Sequence, residues 1–416
     1  MGIDPIIVVI QPMSVIQDAF EGCFHRRTDS LMKKILYCTS DSFPYGSAYA
    51  SRLRALSMLF QELGYEVDIL CDFPGGSETT ERYGHIFYAS DKSLLGLRKM
   101  VELPVIYNRK LKNILHLNTY SAIVLRSMFD RFDIILRTVR KHHVPVILET
   151  CEWYDVKGFA RQNWDIRYLQ FQHCFHSSYN KADAVIAISR LLEEHYKNKG
   201  KPVVRIPAVL ETDTKVFRTS ARDDDEVRIM FAGSVFGGKE QFSEIFNALL
   251  TCEKHGKRLI FNIYGPTKEE IVSGLDEHGV LALNQLGPIV VFHGKVPQEK
   301  MGEICADNDY AVFFRPDRRS SHAGFPTKLG EYLAAGTPVI TNNTGDIQLV
   351  LKNGYDGWVL EETKTETIRR VLETCICFDR EQQENLRKNA REAAIKKLDY
   401  VAYKDEMDEF LRTVIR

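Results

Sequence analysis

Short apolar runs alternate with amphipathic runs along most of the chain, and this alternation constrains the fold more than any other feature. In KILYCTS (residues 34–40) the apolar residues are consecutive, whereas in ASRLRALSMLFQELG (50–64) they recur at steps of three and four. The first pattern predicts a buried strand and the second an amphipathic helix that Gly64 ends. Strands this apolar, joined by helices, predict a parallel sheet covered on both faces.

The same alternation occurs in both halves of the chain. Further strands of the first half are predicted at YEVDILCD, HIFYA, SAIVLRS, PVILET and DAVIAIS. The pattern restarts after the charged connection RIPAVLETDTKVFRTSARDDDE, with strands predicted at VRIMFAGS, RLIFNIYG, IVVFHG, YAVFFRP, TPVITNN and DGWVLE. The sequence therefore predicts an α/β chain of two Rossmann-like domains.

We place the domain boundaries where the pattern changes. The N-terminal domain is predicted at residues 32–210, a linker at 211–226 and the C-terminal domain at 227–395. Residues 396–416 read as a final helix that must pack on existing structure. Residues 1–31 are poorly patterned and precede MKKILYCTSDS, so we interpret them as an extension or tag-derived segment and exclude them from fold reasoning.

Composition is that of an ordinary soluble globular protein. The 416 residues are 44% hydrophobic and 27% charged, and no run of 18 apolar residues predicts a membrane span. The net charge of -1 hides an asymmetry, since residues 32–210 carry 25 Lys and Arg against 18 Asp and Glu, and residues 211–416 carry 28 against 34. The basic half could face an anionic membrane or acceptor, or the distribution could be chance.

The cysteines and histidines do not form a pattern typical of metal sites. Nine cysteines without a CxxC pair indicate reduced thiols in a cytosolic protein. Cys375 and Cys377 have no further ligand nearby, and His173 and His176 lie at i, i+3 without a matching carboxylate. We therefore predict that no metal is bound.

Two glycine-containing loops have the chemistry of phosphate sites. In FAGSVFGGKEQF, Gly233 and the following glycines allow close approach of a ligand, and Lys239 adds a positive charge at a helix start. Gly46 and Ser47 precede the first helix, whose free N–H groups could face an anion. The alternative for the first loop is a flexible surface loop, and the alternative for Gly46 and Ser47 is a tight turn.

The stretch HAGFPTKLGEYLAAGTPVI (322–340) predicts a ligand-binding helix start. Gly324 permits close approach, and Pro326 fits the first helical position. Lys328 and Glu331, at i, i+3, share a side that could offer an ammonium to a phosphate and a carboxylate to ribose hydroxyls. The alternative is an ion pair between these two side chains.

Four segments together carry a family resemblance: PYGSAYASRLRALSMLFQELGYEVDIL, RIMFAGSVFGGKEQFSEIFNAL, IVVFHGKVPQEKMGEICADNDYAVFF and FPTKLGEYLAAGTPVITNNTGDIQLVLKNGYDGWVLE. The chain resembles retaining glycosyltransferases of the GT-B fold, family 4, and its last segment a branch that makes bacterial surface polysaccharides. The resemblance implies two Rossmann-like domains facing a cleft, with a nucleotide-diphosphate-sugar held mainly by the C-terminal domain. It also implies that the terminal helix crosses back to the N-terminal domain.

The resemblance assigns roles to particular residues. Lys239 matches the pyrophosphate-binding lysine, Glu331 the ribose-binding second glutamate of a Glu-x7-Glu motif, and Gly46 the first-loop glycine. Two positions depart from the family: Ser234 stands where an arginine is common, and Ala323 where the first glutamate contacts the transferred sugar. The candidate catalytic residues are Lys239 and Glu331, and the candidate donor-binding residues are Gly46, Ser47, Gly233, Ser234, Arg315, Gly324, Phe325, Pro326, Thr327 and Lys328.

Arg315 and Lys328 are our candidates for the charge that Ser234 does not supply. The N-terminal domain must provide the acceptor side, for which LETCEWYDVKGF follows a strand and offers an aromatic cluster beside carboxylates. Glu152, Trp153, Tyr154 and Asp155 are the acceptor-side candidates, and Glu149 could also emerge there. Alternatively these residues pack the face between the domains.

The predicted function is retaining transfer of a hexose from a UDP- or GDP-linked sugar to a glycan or lipid-linked acceptor. The resemblance implies no protein nucleophile, because the leaving diphosphate is thought to deprotonate the acceptor, and neither metal nor other cofactor is expected. We expect a cytoplasmic protein that can meet the inner face of the membrane and that binds no nucleic acid. The alternatives are a GT-B-fold nucleotide-sugar epimerase and a non-catalytic sugar-nucleotide-binding protein.

Overall fold

A computed structural model describes residues 33–46, 48–75, 81–94, 96–156, 159, 162–213, 216–221, 225–235 and 241–415. The side chains of residues 48, 75, 96–100 and 162 are likewise not described. The predicted extension at 1–31 and the candidates Ser47 and Lys239 lie outside the described residues.

The first sheet has seven parallel strands among the described residues. Its order is β5-β3-β1-β6-β7-β8-β9, and β2 pairs separately with β4. The strands are β1 (Lys34–Cys38), β2 (Phe43–Pro44), β3 (Glu66–Cys71), β4 (Pro74–Gly75), β5 (His85–Tyr88), β6 (Ala122–Arg126), β7 (Val146–Thr150), β8 (Ala184–Ala187) and β9 (Val203–Arg205). The helices are α1 (Ala48–Glu62), α2 (Gly96–Leu117), α3 (Phe132–Val139), α4 (Ile166–His173) and α5 (Arg190–Lys197).

The second sheet is also parallel, with the order β12-β11-β10-β13-β14-β15. The strands are β10 (Glu226–Ala232), β11 (Arg258–Tyr264), β12 (Val290–Gly294), β13 (Tyr310–Val312), β14 (Val339–Asn342) and β15 (Gly357–Leu360). The helices are α6 (Phe242–Thr251), α7 (Lys268–Val272), α8 (Glu277–Leu286), α9 (Met301–Asp307), α10 (Arg319–Ala323), α11 (Thr327–Ala334), α12 (Ile347–Val350), α13 (Thr365–Cys377), α14 (Arg380–Lys397) and α15 (Lys404–Val414).

The hydrophobic pattern explains why these elements form. In β1, residues 35–38 are all fully buried, as expected of a strand covered on both faces. In α1, Leu53, Leu56 and Leu59 lie on one stripe and are fully buried against the sheet. Gly64 follows with φ +81°, a left-handed conformation that ends the helix at little steric cost.

The C-terminal helix crosses back to the first sheet. The chain passes from the second sheet at Leu398, whose carbonyl accepts from the N–H of Leu210 (2.9 Å), and continues into α15. There Lys404 pairs with Glu62 of α1 (3.3 Å), and Met407 and Leu411 are fully buried. The two-domain α/β architecture and this crossing confirm the predicted GT-B fold.

Two details differ from the sequence prediction. Pro326 precedes α11 instead of occupying its first position, because its ψ of 109° is extended. The short strand β9 and the β2–β4 pair were not predicted, since two or three residues give no readable periodicity.

Candidate active site

Glycines line the ends of two neighbouring strands of the second sheet. Gly233 follows β10 with φ +147°, and its N–H donates to the carbonyl of Tyr264 (3.1 Å). Gly265 follows β11 with φ +107°, and a Cβ there would lie 2.2 Å from the carbonyl oxygen of Gly233. Only glycine fits Gly265, so the two backbones approach closely where an α/β sheet binds its ligands.

Helix α11 starts beside this edge and is anchored to it by a buried tyrosine. The hydroxyl of Tyr332 donates to the carbonyl of Ala232 (3.0 Å) and accepts from the N–H of the same residue (2.7 Å). Leu329 and Leu333 are fully buried on the same side, as predicted. The first N–H groups of the helix lack intrahelical partners, so this start can receive an anion.

Lys328 lies across the end of β10. Its Nζ is 4.3 Å from the ring centroid of Phe231 and 5.3 Å from that of Phe313. A Cβ on Gly233 would be 3.0 Å from the same Nζ, so the ammonium covers Gly233. The two aromatic faces therefore position a cation over the glycine edge.

Glu331 lies one turn further along α11 and is half-buried. Among the residues that the structure describes, its carboxylate has no hydrogen-bond or ion-pair partner, and the alternative Lys328–Glu331 ion pair is not formed. Burial raises the pKa of Glu331, and the positive charges of Arg54 and Lys328 oppose that rise. A desolvated carboxylate without a partner is suited to accept hydrogen bonds from ligand hydroxyls.

Arg315 supports the loop instead of pointing freely into it. Its Nη1 donates to the carbonyls of Ser321 (2.9 Å) and Gly324 (3.4 Å), and its backbone N–H donates to Asn342 Oδ1 (2.9 Å). These bonds hold the segment that leads into α11. Arg315 therefore has a structural role in this geometry, and its role as a phosphate ligand stays a prediction.

The remaining donor-side candidates surround the same helix start. Phe325 and Ala323 are buried, whereas Ser234 is exposed at the end of β10. Gly46 lies in the loop after β1 with φ +108°, and a Cβ there would meet Ser42 Oγ at 2.6 Å. This close approach is sufficient to require glycine at position 46, and the role of Gly46 at the donor stays a prediction.

Most of the acceptor-side candidates contact the second domain. The backbone N–H of Ser320 donates to Asp155 Oδ2 (2.9 Å), and Arg319 donates to the carbonyl of Tyr154 (3.2 Å). The guanidinium of Arg319 also lies 5.1 Å from the ring centroid of Trp153. The alternative that these residues pack the face between the domains therefore describes Trp153, Tyr154 and Asp155 in this structure. Glu152, half-buried next to them, makes no such contact with α10.

Glu149 does not emerge at the cleft, contrary to the sequence prediction. It is fully buried and receives hydrogen bonds from Arg52 Nε (2.8 Å), Cys151 Sγ (2.9 Å) and the hydroxyl of Tyr49. The end of a buried strand supplies the carboxylate, and the neighbouring helix α1 supplies two of its three partners, Arg52 and Tyr49. Glu149 is thus part of the core.

Two family models match the chain at adjacent ranges. The model described as Glycosyl transferases group 1 matches residues 212–393, and the model described as Glycosyltransferase Family 4 matches residues 50–213. Together they cover residues 50–393, which include most strands of both sheets and the whole of α11, whereas β1, β2 and Gly46 precede the matched range. The chain belongs to the group 1 glycosyltransferases. No curated protein sequence matches it.

Solved structures show the fold of this glycosyltransferase in other proteins. Sucrose-phosphate synthase from Thermosynechococcus elongatus is 14% identical with a TM-score of 0.65, over 92% of this chain and 98% of the other. HepE from Anabaena, solved with UDP and glucose, is 14% identical with a TM-score of 0.63, over 92% and 100%. The pneumococcal O-GlcNAc transferase GtfA, solved with UDP and GlcNAc, is 12% identical with a TM-score of 0.62, over 93% and 100%. At these identities the likeness establishes the fold alone.

Three features of the glycosyltransferase site were not found from the sequence. Arg54 of α1 faces Glu331 from the other domain, held by a bond to the carbonyl of Pro44 (2.7 Å). Ser189 Oγ donates to the carbonyl of Ala323 (2.6 Å), so the position of the missing family glutamate is sealed between the domains. His322 accepts from the N–H of Gly345 and pairs with Asp317 (2.6 Å). Each depends on residues distant in sequence, for which no local pattern exists.

The described residues contain no group of three or more His, Cys, Asp and Glu side chains arranged for a metal ion. Within the same residues, no helix combines the length and apolar character needed to cross a membrane.

Proposed function

We propose that this glycosyltransferase moves a hexose from a UDP- or GDP-linked donor to a glycan or lipid-linked acceptor with retention of anomeric configuration. The observation that supports it most directly is the carboxylate of Glu331, half-buried and without a partner among the described residues. Ribose hydroxyls are donors that such a carboxylate can accept from, as acidic residues do in dinucleotide sites.

The diphosphate would lie between the glycine edge and the start of α11. Lys328 Nζ already covers Gly233, and the first N–H groups of α11 face the same region. We assign Lys239 to the same diphosphate from the family motif. Because Ser234 brings no charge, we assign its part to Lys328 and Arg54, the two cations whose charges act on the pKa of the nearby Glu331.

The chemical step, in this proposal, depends on charge stabilisation. As the bond between the sugar and the diphosphate breaks, negative charge grows on the leaving oxygens. The lysines and the helix N–H groups would stabilise that charge, and the departing diphosphate would take the proton of the acceptor hydroxyl on the same face. No protein nucleophile and no metal enters this scheme.

Solved relatives of the fold favour uridine nucleotides as the first donors to test. HepE was solved with UDP and glucose, and GtfA with UDP and GlcNAc. We propose a cytoplasmic enzyme of surface-polysaccharide or glycoconjugate synthesis that works at the inner face of the membrane. In this assignment Glu152 remains an acceptor-side candidate, whereas Trp153, Tyr154 and Asp155 position α10.

Turnover tests the proposal. The full chain is incubated with UDP- and GDP-linked hexoses, with lipid extracts and oligosaccharides as acceptors, in the presence and absence of EDTA. We expect one donor to be consumed with formation of a glycoside whose anomeric proton coupling matches that of the donor. Inverted anomeric configuration in the product would contradict the proposed retention, and loss of turnover in EDTA would contradict the metal-free scheme. Interconversion of donor sugars without an acceptor would instead identify an epimerase.

Binding tests the site independently of turnover. Lys328→Ala and Lys239→Ala should each weaken UDP or GDP binding about tenfold or more by calorimetry, because a charge-assisted contact contributes about 1.5–3 kcal/mol. Lys388→Ala, an exposed lysine on α14, is the matched control and should bind as the parent does. Unchanged affinity in both lysine variants would refute the site.

A further inference from the structure

Three large apolar side chains project into solvent at one end of α4. Trp164 is 87% exposed just before the helix, and Ile166 and Leu169 in its first turn are 59% and 52% exposed. Isolated exposed apolar residues are ordinary, but a cluster that includes a nearly free tryptophan marks an interaction surface.

The cluster stands on a packed aromatic base. Phe171 of α4 and Phe175, just after the helix, are buried, and Tyr154 packs edge-on against Phe171 at 4.9 Å between ring centroids. Tyr168 lies 5.3 Å from Phe159, which is itself buried. The exposed side chains are therefore presented by an ordered helix that is continuous with the acceptor-side segment.

The neighbouring helix α3 extends the cluster. Asp133 pairs with His173 Nε2 (3.2 Å), and His173 lies on the same stripe of α4 as Leu169 and Ile166. Ile134, the next residue after Asp133, is 41% exposed, so α3 presents an apolar side chain in the turn that contacts α4.

Helix α2 adds the last residues of the exposed apolar cluster. Thr138 of α3 donates to Asn108 of α2 (2.7 Å), and Ile134 is one turn before Thr138 on the same stripe. Val105 and Val101 lie one and two turns before Asn108, and they are 57% and 60% exposed. The apolar rim is hereafter this set: Val101, Val105, Ile134, Trp164, Ile166 and Leu169.

The charge on the same stripes is positive. Helices α2, α3 and α4 contain seven Lys and Arg residues against two acidic residues. Arg109 and Lys112 continue the stripe of Val101 and Val105, and Arg137 continues that of Ile134, all exposed. Among the described residues none of these three cations has an acidic partner.

The rim also has a defined position relative to the cleft. In a parallel α/β sheet, helices start at the carboxyl ends of the strands, where the ligands bind. Ile134, Ile166 and Leu169 lie in the first turns of α3 and α4, Trp164 lies just before α4, and Val101 and Val105 lie in the second and third turns of α2. The rim therefore lies in the halves of these helices nearer the cleft. The cations lie one or more turns further away.

We propose that the apolar rim inserts into the surface of an anionic lipid bilayer, with the cations of α2 and α3 against the headgroups, and that the acceptor is consequently lipid-linked. This rests on the proposed glycosyl transfer and names the acceptor class. Tryptophan and short aliphatic side chains beside Lys and Arg are the composition that binds membrane interfaces. An anionic bilayer accounts for both features together, because its apolar interior and its charged headgroups lie next to each other, as the apolar stripes and the unpaired cations do on these two helices.

Vesicle binding tests the inference. The full chain is sedimented with vesicles of phosphatidylcholine containing 30% phosphatidylglycerol, and with pure phosphatidylcholine. We expect binding to the first at least tenfold stronger than to the second, and a fall at high salt because the headgroup attraction is screened. Trp164→Ser/Ile166→Ser/Leu169→Ser should lose at least tenfold in binding, whereas Leu281→Ser, an equally exposed leucine on α8 (58%), should not.

Two outcomes would overturn it. Equal binding by the triple variant and the parent would show that the rim does not touch lipid. A parent that ignores both vesicles but is a dimer by light scattering, with the dimer lost in the triple variant, would assign the rim to a second copy. Binding of UDP or GDP by the parent and by the triple variant is measured alongside. A triple variant that binds nucleotide but not vesicles leaves the proposed glycosyl transfer standing. A parent that binds vesicles but neither nucleotide would refute the proposed transfer and leave the assignment of the rim unchanged.

Discussion

Each of the two sheets places a glutamate near the carboxyl ends of its strands, and the two glutamates have opposite surroundings. Glu149 at the end of β7 is fully buried and bonded to Arg52, Cys151 and Tyr49. Glu331 on α11 is half-buried and has no partner among the described residues. The same residue type at corresponding edges thus completes a core in one domain and faces the cleft in the other.

The pKa values of the two carboxyls move in opposite directions. Burial would raise the pKa of Glu149, but the charges of Arg52 and Arg126 and the bonds from Cys151 and Tyr49 outweigh it, so the pKa is lowered. For Glu331 burial prevails over the charges of Arg54 and Lys328, and the pKa is raised. A buried carboxylate that has hydrogen-bond and ion-pair partners within the protein stabilises the fold. A buried carboxylate without such partners is available to a ligand.

The largest expected effect tests the satisfied carboxylate. Glu149→Ala should lower the free energy of unfolding by about 3–5 kcal/mol, because it leaves the guanidinium of Arg52 buried without its countercharge. Urea titration followed by circular dichroism measures this, with Glu409→Ala on the exposed face of α15 as the control. A loss below about 1 kcal/mol would mean that water reaches Arg52 and that the contrast between the two sheets is smaller than the geometry indicates.

Local patterns were sufficient to predict the fold and to group some of the candidate residues that lie together in the structure. Strand and helix periods extend over five to fifteen residues, and Lys328 and Glu331 could be paired because they lie on one helix. The glycine at position 233 was also readable, since close approach requires it. These predictions all concern neighbours in sequence.

The rest depends on contacts that no local pattern contains. Glu149 was expected at the cleft because it follows a strand, but its partner Arg52 is 97 residues away on α1. Asp155 was expected either to meet an acceptor or to pack between the domains, and the partner that it has in the structure, the N–H of Ser320, is 165 residues later. Arg315 was expected to bind phosphate, and that role stays a prediction, but the sequence did not indicate that its guanidinium also donates to two carbonyls of the following loop. The sequence does not show which distant residue a charged side chain will contact, so it does not predict whether that side chain is buried.

The second expected effect tests the unsatisfied carboxylate. Glu331→Gln should weaken binding of UDP or GDP about 10–100-fold, which corresponds to the loss of about 1.5–3 kcal/mol from hydrogen bonds to a charged acceptor. Affinity for inorganic diphosphate, measured by the same calorimetry, should stay unchanged because it has no ribose. Equal losses for both ligands would instead place Glu331 at the phosphates.

A smaller effect is expected where the two regions meet. Ser189→Ala removes the bond from Oγ to the carbonyl of Ala323 and the cap at the start of α5, and should cost about 0.5–2 kcal/mol of stability. Thr267→Ala removes a cap of α7 without any bond to the other domain and is the matched control. We expect faster amide hydrogen exchange at residues 319–324 in Ser189→Ala but not in Thr267→Ala. Equal exchange rates in the two variants would mean that the hydrogen bond from Ser189 to Ala323 does not hold the domains together.

The smallest effect is a pH dependence that separates the two glutamates. Because the pKa of Glu331 is raised in the folded protein, its contribution to stability is fully present below the unfolded pKa and is lost as the pH rises through the folded value. Glu331→Gln cannot ionise, so it should unfold at a higher urea concentration than the parent near pH 8, and the difference should shrink toward pH 5. The lowered pKa of Glu149 acts in the opposite sense, but it is shared by both proteins and cancels in the difference. A difference that stays constant with pH, or grows as the pH falls, would show that Glu331 has a partner in the folded protein and that the contrast with Glu149 does not hold.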